Sequence, residues 1–113
     1  MTQFWVAVYR PNGYDHAALL DDVARRAIDA VNEEMKAAGV RVFVGGLRAT
    51  SSAKSVRPQG ELGLVVSEGP CSTTTEYVDG FWVLQCANLE EAVGWGRKAA
   101  SACRGSVEVR PFN

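Results

Sequence analysis

The chain has 113 residues, enough for one modest hydrophobic core and too few for two. Its 47% apolar and 22% charged residues exclude global disorder. With 12 Lys and Arg against 13 Asp and Glu, a formal charge of −1, there is no basic field for a phosphate backbone or an anionic lipid surface, so no direct nucleic-acid contact is expected. No apolar run approaches the roughly 20 residues of a membrane span, and the start Met1-Thr-Gln-Phe-Trp-Val lacks the features of a signal peptide. The expectation is a cytoplasmic protein without a membrane segment. Cys71, Cys86 and Cys103 are odd in number and widely spaced, which fits reduced thiols better than a disulfide frame or a zinc site.

Gln3 to Tyr9 is rich in aromatic and β-branched residues and runs into Pro11-Asn12-Gly13, so a strand closed by a turn is predicted. From Asp15 to Ala38, Leu20, Val23, Ala24, Ala27, Val31 and Met35 recur at intervals of three and four. This predicts one long amphipathic helix, capped by Asp15 and ended by Gly39. Val40 to Val44 reads as a second strand, and Ala53 to Arg57 with Leu62 to Val66 as an inserted hairpin. The segment Glu68-Gly-Pro-Cys-Ser-Thr-Thr-Thr-Glu76 is predicted to be a tight loop, ordered by Gly69-Pro70 and by hydroxyls of Ser72, Thr73 and Thr74 bonding to local backbone. Glu68, Gly69, Pro70 and Thr74 mark it as a candidate functional loop. Gly80 to Cys86 reads as a strand. Asn88-Leu-Glu-Glu91 opens a second helix with Leu89, Ala92, Val93, Gly96, Ala99, Ala100 and Cys103 on its buried stripe, ended by Arg104-Gly105. Ser106 to Arg110 is the closing strand.

Without the hairpin the order is strand, helix, strand, strand, helix, strand. That is the ferredoxin-like split βαβ arrangement of the α+β class, here a single domain over residues 1–113. Two helices cover one sheet face and leave Trp5, Tyr9 and Trp82 on the other. An apolar face carrying Trp5, Tyr9, Phe81 and Trp82 predicts a homodimer.

With these elements placed, the chain resembles the YCII-related family, in particular its DGPF branch. The resemblance rests on Glu34-Met-Lys-Ala-Ala-Gly-Val40, Gly45-Gly46-Leu47, Glu68-Gly-Pro-Cys71 with Glu76, Gly80-Phe81-Trp82 and Gly105-Ser-Val-Glu-Val-Arg-Pro111. It implies a dimeric α+β barrel, in which sheets of two subunits face each other. Where the branch usually reads Asp-Gly-Pro-Phe-Ala-Glu-Thr-Lys-Glu, Thr73 and Thr75 replace the Glu and the Lys. YCII-type relatives resemble small-molecule lyases with a His-Asp pair, and their histidine aligns near Ile28. His16, the sole histidine, lies three turns earlier, at the predicted helix start. It is read as a solvated residue without a partner, so no catalytic residue is assigned.

On the last strand Val107 and Val109 share one face, and Ser106, Glu108 and Arg110 the other. Tyr9, Glu76, Glu108 and Arg110 form the candidate ligand site, with Arg110 as the fork for a small anionic or phenolic ligand and Glu108 or Glu76 as a base. An edge salt bridge that keeps the strand soluble explains the Glu108 and Arg110 pair equally well. No cofactor fingerprint or metal-ligand spacing is present. One functional reading is a small-molecule-binding dimer with lyase or isomerase chemistry. The other is a non-catalytic regulatory module, because the resemblance implies association with sigma-factor-type transcription control.

Overall fold

The computed structural model describes residues 1–113. β1 (Thr2–Pro11) lies at the centre of a four-stranded antiparallel sheet with β5 (Glu76–Cys86) on one side and β6 (Ser106–Pro111) on the other; β2 (Arg41–Gly46) flanks β5, giving the order β2-β5-β1-β6. That order is ferredoxin-like. β3 (Lys54–Pro58) and β4 (Leu64–Glu68) form a separate two-stranded hairpin.

The predicted long helix is two helices. α1 (His16–Leu19) is capped by the Asp15 side chain, which accepts from the Ala18 amide, and α2 (Asp22–Ala37) by Asp21, which accepts from Ala24. Two carboxylates each able to satisfy the orphan amides of a first turn start two helices in one apolar repeat, and Leu20 leaves the helical region between them. Gly39, at φ +71°, closes α2 with paired bonds from its own amide to Lys36 O and from Val40 to Met35 O.

α3 (Leu89–Cys103) begins with a reciprocal cap: Asn88 accepts from the Glu91 amide and Glu91 Oε2 accepts from Ala87. Its buried residues are Ala92, Gly96, Ala99, Ala102 and Cys103, while Leu89, expected in the stripe, is half exposed.

α2 and α3 cover one sheet face. Phe4, Val6 and Val8 of β1 and Trp82, Leu84 and Cys86 of β5 meet Val31, Met35 and the small residues of α3 there. Trp82 therefore corrects the sequence expectation. Its neighbour Phe81 is on the open face, and consecutive strand residues point to opposite sides. Trp82 is 4% exposed and donates from Nε1 to Asn32 Oδ1 at 2.9 Å. The open face holds Trp5, Phe81 and Phe43 in a row, with Phe81 between the others at ring-centroid distances of 6.4 Å and 5.7 Å.

The loop after β4 is also held differently from expectation. Among Ser72, Thr73 and Thr74 only the Thr74 hydroxyl bonds to local backbone, at Glu76 O. The other ties come from outside: Gly69 donates to Ala53 O, Ser55 Oγ to Gly69 O, Arg57 to Cys71 O and Asn12 Nδ2 to Thr74 O. The hairpin and the first turn order the loop.

Candidate functional site

Arg10 continues the inward stripe Phe4, Val6, Val8 into a position that should be apolar, and it is 2% exposed. A buried guanidinium must be fully partnered. Its Nη1 donates to Cys103 O at 2.5 Å, the carbonyl end of α3 where the helix dipole is negative. Its Nε faces Asp79 Oδ2 at 3.4 Å, and its guanidinium carbon lies 4.4 Å from the centre of the Tyr14 ring. Gly105 is needed for this approach, since a Cβ there would stand 2.8 Å from Arg10 Nη1. The left-handed residue that ends α3 is not Gly105 but Arg104, at φ +54°.

Asp79 reaches Arg10 because β5 is bulged. Val8 pairs with Gly80 and Tyr9 with Val78, so Asp79 is the extra residue, and a bulge re-aims the side chain it carries. The Asp79 carbonyl accepts from the Leu47 amide at 2.8 Å, which fixes the bulge from the β2 side. The second carboxylate oxygen faces His16 Nε2 at 2.8 Å. His16 is thus partnered, contrary to the sequence expectation. Its ring is 45% exposed against 19% for Asp79, and Tyr14 packs edge-on to it at 4.8 Å between centroids. With Nε2–H donating to Asp79, Nδ1 holds the free lone pair. Asp79, but not His16, lines a cavity of about 160 Å³ shared with Arg10, Asn32, Trp82, Leu20 and Ile28.

The residues singled out from the sequence lie on the other face of the sheet. Trp5 pairs with Arg110, Ala7 with Glu108 and Tyr9 with Ser106. The Tyr9 hydroxyl donates to Glu108 Oε1 at 2.7 Å. That bond, burial and the Glu108 charge hold the phenol above its ordinary pKa. Arg110 Nε is 3.4 Å from Glu108 Oε2, and its guanidinium carbon lies 5.1 Å from the Trp5 ring centre. Beside them is an open pocket of about 310 Å³ lined by Trp5, Arg110, Pro111, Phe112 and Asn113. Three of the four candidates come together. Glu76 opens β5 opposite Pro11 and reaches Tyr9 only through its charge. Glu68 ends β4 and pairs with Lys54 at 2.8 Å, and neither it nor Gly69 lines any of these pockets.

Arg10, Tyr14, His16 and Asp79 were not assembled from the sequence. The available signal was the Asp79-Gly80 pair inside a run of β-formers, since Asp is depleted in strands and glycine there marks a bulge. A ferredoxin-like α+β chain with a polar cluster at one end of β1 is the class these features define. The chain belongs to the YCII-related domain family, whose sequence profile matches residues 4–113. It is similar to an uncharacterised protein of Rhizobium meliloti (strain 1021), 35% identical over 95 residues, covering 81% of this chain and 75% of the relative. Ile28 lines the same cavity as Asp79. The histidine that meets Asp79 comes from α1.

Proposed function

We propose that the protein binds a small molecule at the Arg10, His16 and Asp79 cluster and moves a proton there, in the manner of a lyase or isomerase. The observation that carries this reading is the 2.8 Å contact of His16 Nε2 with Asp79 Oδ1, a carboxylate that also lines a cavity. The half-buried Asp79 carboxylate orients the imidazole, Arg10 fixes the carboxylate, and Nδ1 serves as the base. A positioned base of this kind contributes about 10²- to 10⁴-fold to a proton-transfer step.

The working unit in this reading is a homodimer closed through the open sheet face. Trp5, Phe43 and Phe81 supply the apolar surface. The radius of gyration of 16.2 Å, against about 13 Å for a compact chain of this length, supports it too, because a projecting hairpin that carries exposed Val56, Leu62, Leu64 and Val66 has apolar surface to offer a partner. Light scattering should then give twice the 12.2 kDa chain mass. The three unpaired cysteines support a cytoplasmic setting.

A second reading has one observation in its favour. Arg110, fixed only by Glu108 and the Trp5 ring, borders the open 310 Å³ pocket and would hold a small anionic or phenolic ligand by its planar fork. The two readings separate in a solvent-exchange experiment. Small carbonyl acids, hydroxy acids and phenols are incubated with the protein in D2O, and deuterium incorporation is read by mass spectrometry. The proton-transfer reading expects incorporation above buffer for at least one compound, reduced about 100-fold in His16→Gln and Asp79→Asn and unchanged in Arg110→Met. Equal incorporation in all four proteins would overturn it.

A further inference from the structure

The largest concavity of the molecule lies next to this cluster and is chemically unlike it. A groove of about 540 Å³ runs between the β1 turn, the Ala49-Thr50 segment and the loop before β5. That size is within the roughly 300–1,000 Å³ of small-molecule sites. Ten residues line it and none is charged; the polar ones are Asn12, Tyr14, Thr50, Ser72, Thr73, Thr74 and Tyr77. Arg10, the nearest buried cation, lies against the Tyr14 ring with its donors directed to Asp79 and Cys103 O.

We infer that this groove takes a neutral polyhydroxylated ligand, a monosaccharide or cyclic polyol, and not an anion. Each Ser, Thr or Tyr hydroxyl is one donor and two acceptors, the same inventory as a sugar hydroxyl, so the two surfaces pair in either sense. A carboxylate or phosphate would lose hydration against a lining that carries no charged side chain. Tyr14 and Tyr77 offer an apolar ring beside a hydroxyl, which suits the C–H face and hydroxyl rim of a pyranose. The hydroxyls of Tyr14, Tyr77, Thr50, Ser72 and Thr73 make no hydrogen bond within the chain, whereas Thr74 is engaged with Glu76 O. Burial, with the Asp79 charge second, holds the Tyr77 phenol above its ordinary pKa and keeps it a donor at neutral pH. Tyr14 is the shared wall: it lines the groove and packs on the His16 ring. The groove inference stands on its own lining and is independent of the proton-transfer reading, since His16 does not line the groove.

The test is binding at equilibrium, followed by amide chemical shifts of the labelled full chain. The probes are D-glucose, D-xylose and myo-inositol, set against D-gluconate, D-glucosamine, glucose 6-phosphate and catechol. At least one neutral polyol should give saturable shifts at residues 12–14, 49–50 and 70–77, with the charged probes and catechol about 10-fold weaker or more. Thr50→Val and Thr73→Val, each removing one hydroxyl at constant shape, should weaken binding about 5-fold, while Lys36→Gln, on the exposed side of α2, binds as the wild type does. The inference is overturned if no neutral polyol saturates, if a charged probe or catechol binds as well, or if the Thr variants bind unchanged. Polyol binding without deuterium exchange would remove the proton-transfer reading alone. Exchange into an acid without polyol binding would remove only the groove.

Discussion

The two faces of the central sheet solve different problems with the same residue types. Each carries aromatic rings, an arginine and a carboxylate. On the helix-covered face Trp82 is 4% and Arg10 2% exposed, and no fully buried side-chain polar atom lacks a hydrogen-bond partner. On the open face Trp5 and Phe81 are only half buried, and Arg110 is 65% exposed in its side chain. One face is finished inside a single chain and the other is left partly open to solvent. The same pair of residue types is therefore structural on one side and available on the other.

Adjacent aromatics give the largest separation. Trp82→Ala should cost about 4 kcal/mol in urea unfolding, because it empties core volume and takes the Nε1 hydrogen bond from Asn32 Oδ1. Phe81→Ala, one residue along, should cost about 1 kcal/mol or less in monomer stability and instead shift light scattering towards the monomer mass. Comparable losses at both positions would mean that the open face is part of the monomer core.

The two arginines follow. Arg10→Met removes a buried cation from a carboxylate and from a helix C-terminus, for which about 3 kcal/mol is expected. Arg110→Met should stay within about 0.5 kcal/mol of wild type, while abolishing any thermal shift produced by a small acid or phenol on the open face. If Arg110→Met unfolds the protein instead, its pairing with Glu108 is structural.

The smallest effect is alkaline. Burial holds the Cys86 thiol up, with Glu91 adding to it, and burial likewise raises Cys103, with Arg10 opposing and Asp79 adding. A folded-state pKa above the unfolded value stabilises fully below the unfolded value, about 8.5 for Cys, and is lost as pH rises through the folded one. Stability should therefore decline above about pH 8.5, and Cys86→Ala with Cys103→Ala should flatten that decline. A decline unchanged in the double variant would assign it to the phenols of Tyr9, raised by its bond to Glu108, and Tyr77, raised by burial.

The strands, both cap signals and the inserted hairpin were legible because each is written in local periodicity. The parity of β6 was legible for the same reason: Val107 and Val109 lie on the helix side, Glu108 and Arg110 on the open side. Trp82 was misplaced because aromatic content was weighed above alternation, which by itself puts Phe81 and Trp82 on opposite faces. The break at Leu20 was legible in principle, since Asp21 repeats the capping chemistry of Asp15 six positions on. The His16 and Asp79 contact was not, because it spans 63 residues and depends on a bulge that no periodicity reveals. Arg10 was hidden too: a charge inside an apolar stripe reads as a strand end until its partners are known.

The bulge at residue 79 also means that β5 is one residue longer than pairing requires. With residue 79 deleted, Gly80 would still face Val8 and Val78 would still face Tyr9, so no flanking side chain would change sides. The residue is an insertion that the ladder tolerates, and its removal would take away the one carboxylate that Arg10 and His16 share. Arg10 would then be a buried cation with only a carbonyl and an aromatic ring. Insertion and arginine thus stand or fall as a unit: a shortened strand would be sound as a sheet only if position 10 became apolar in the same step.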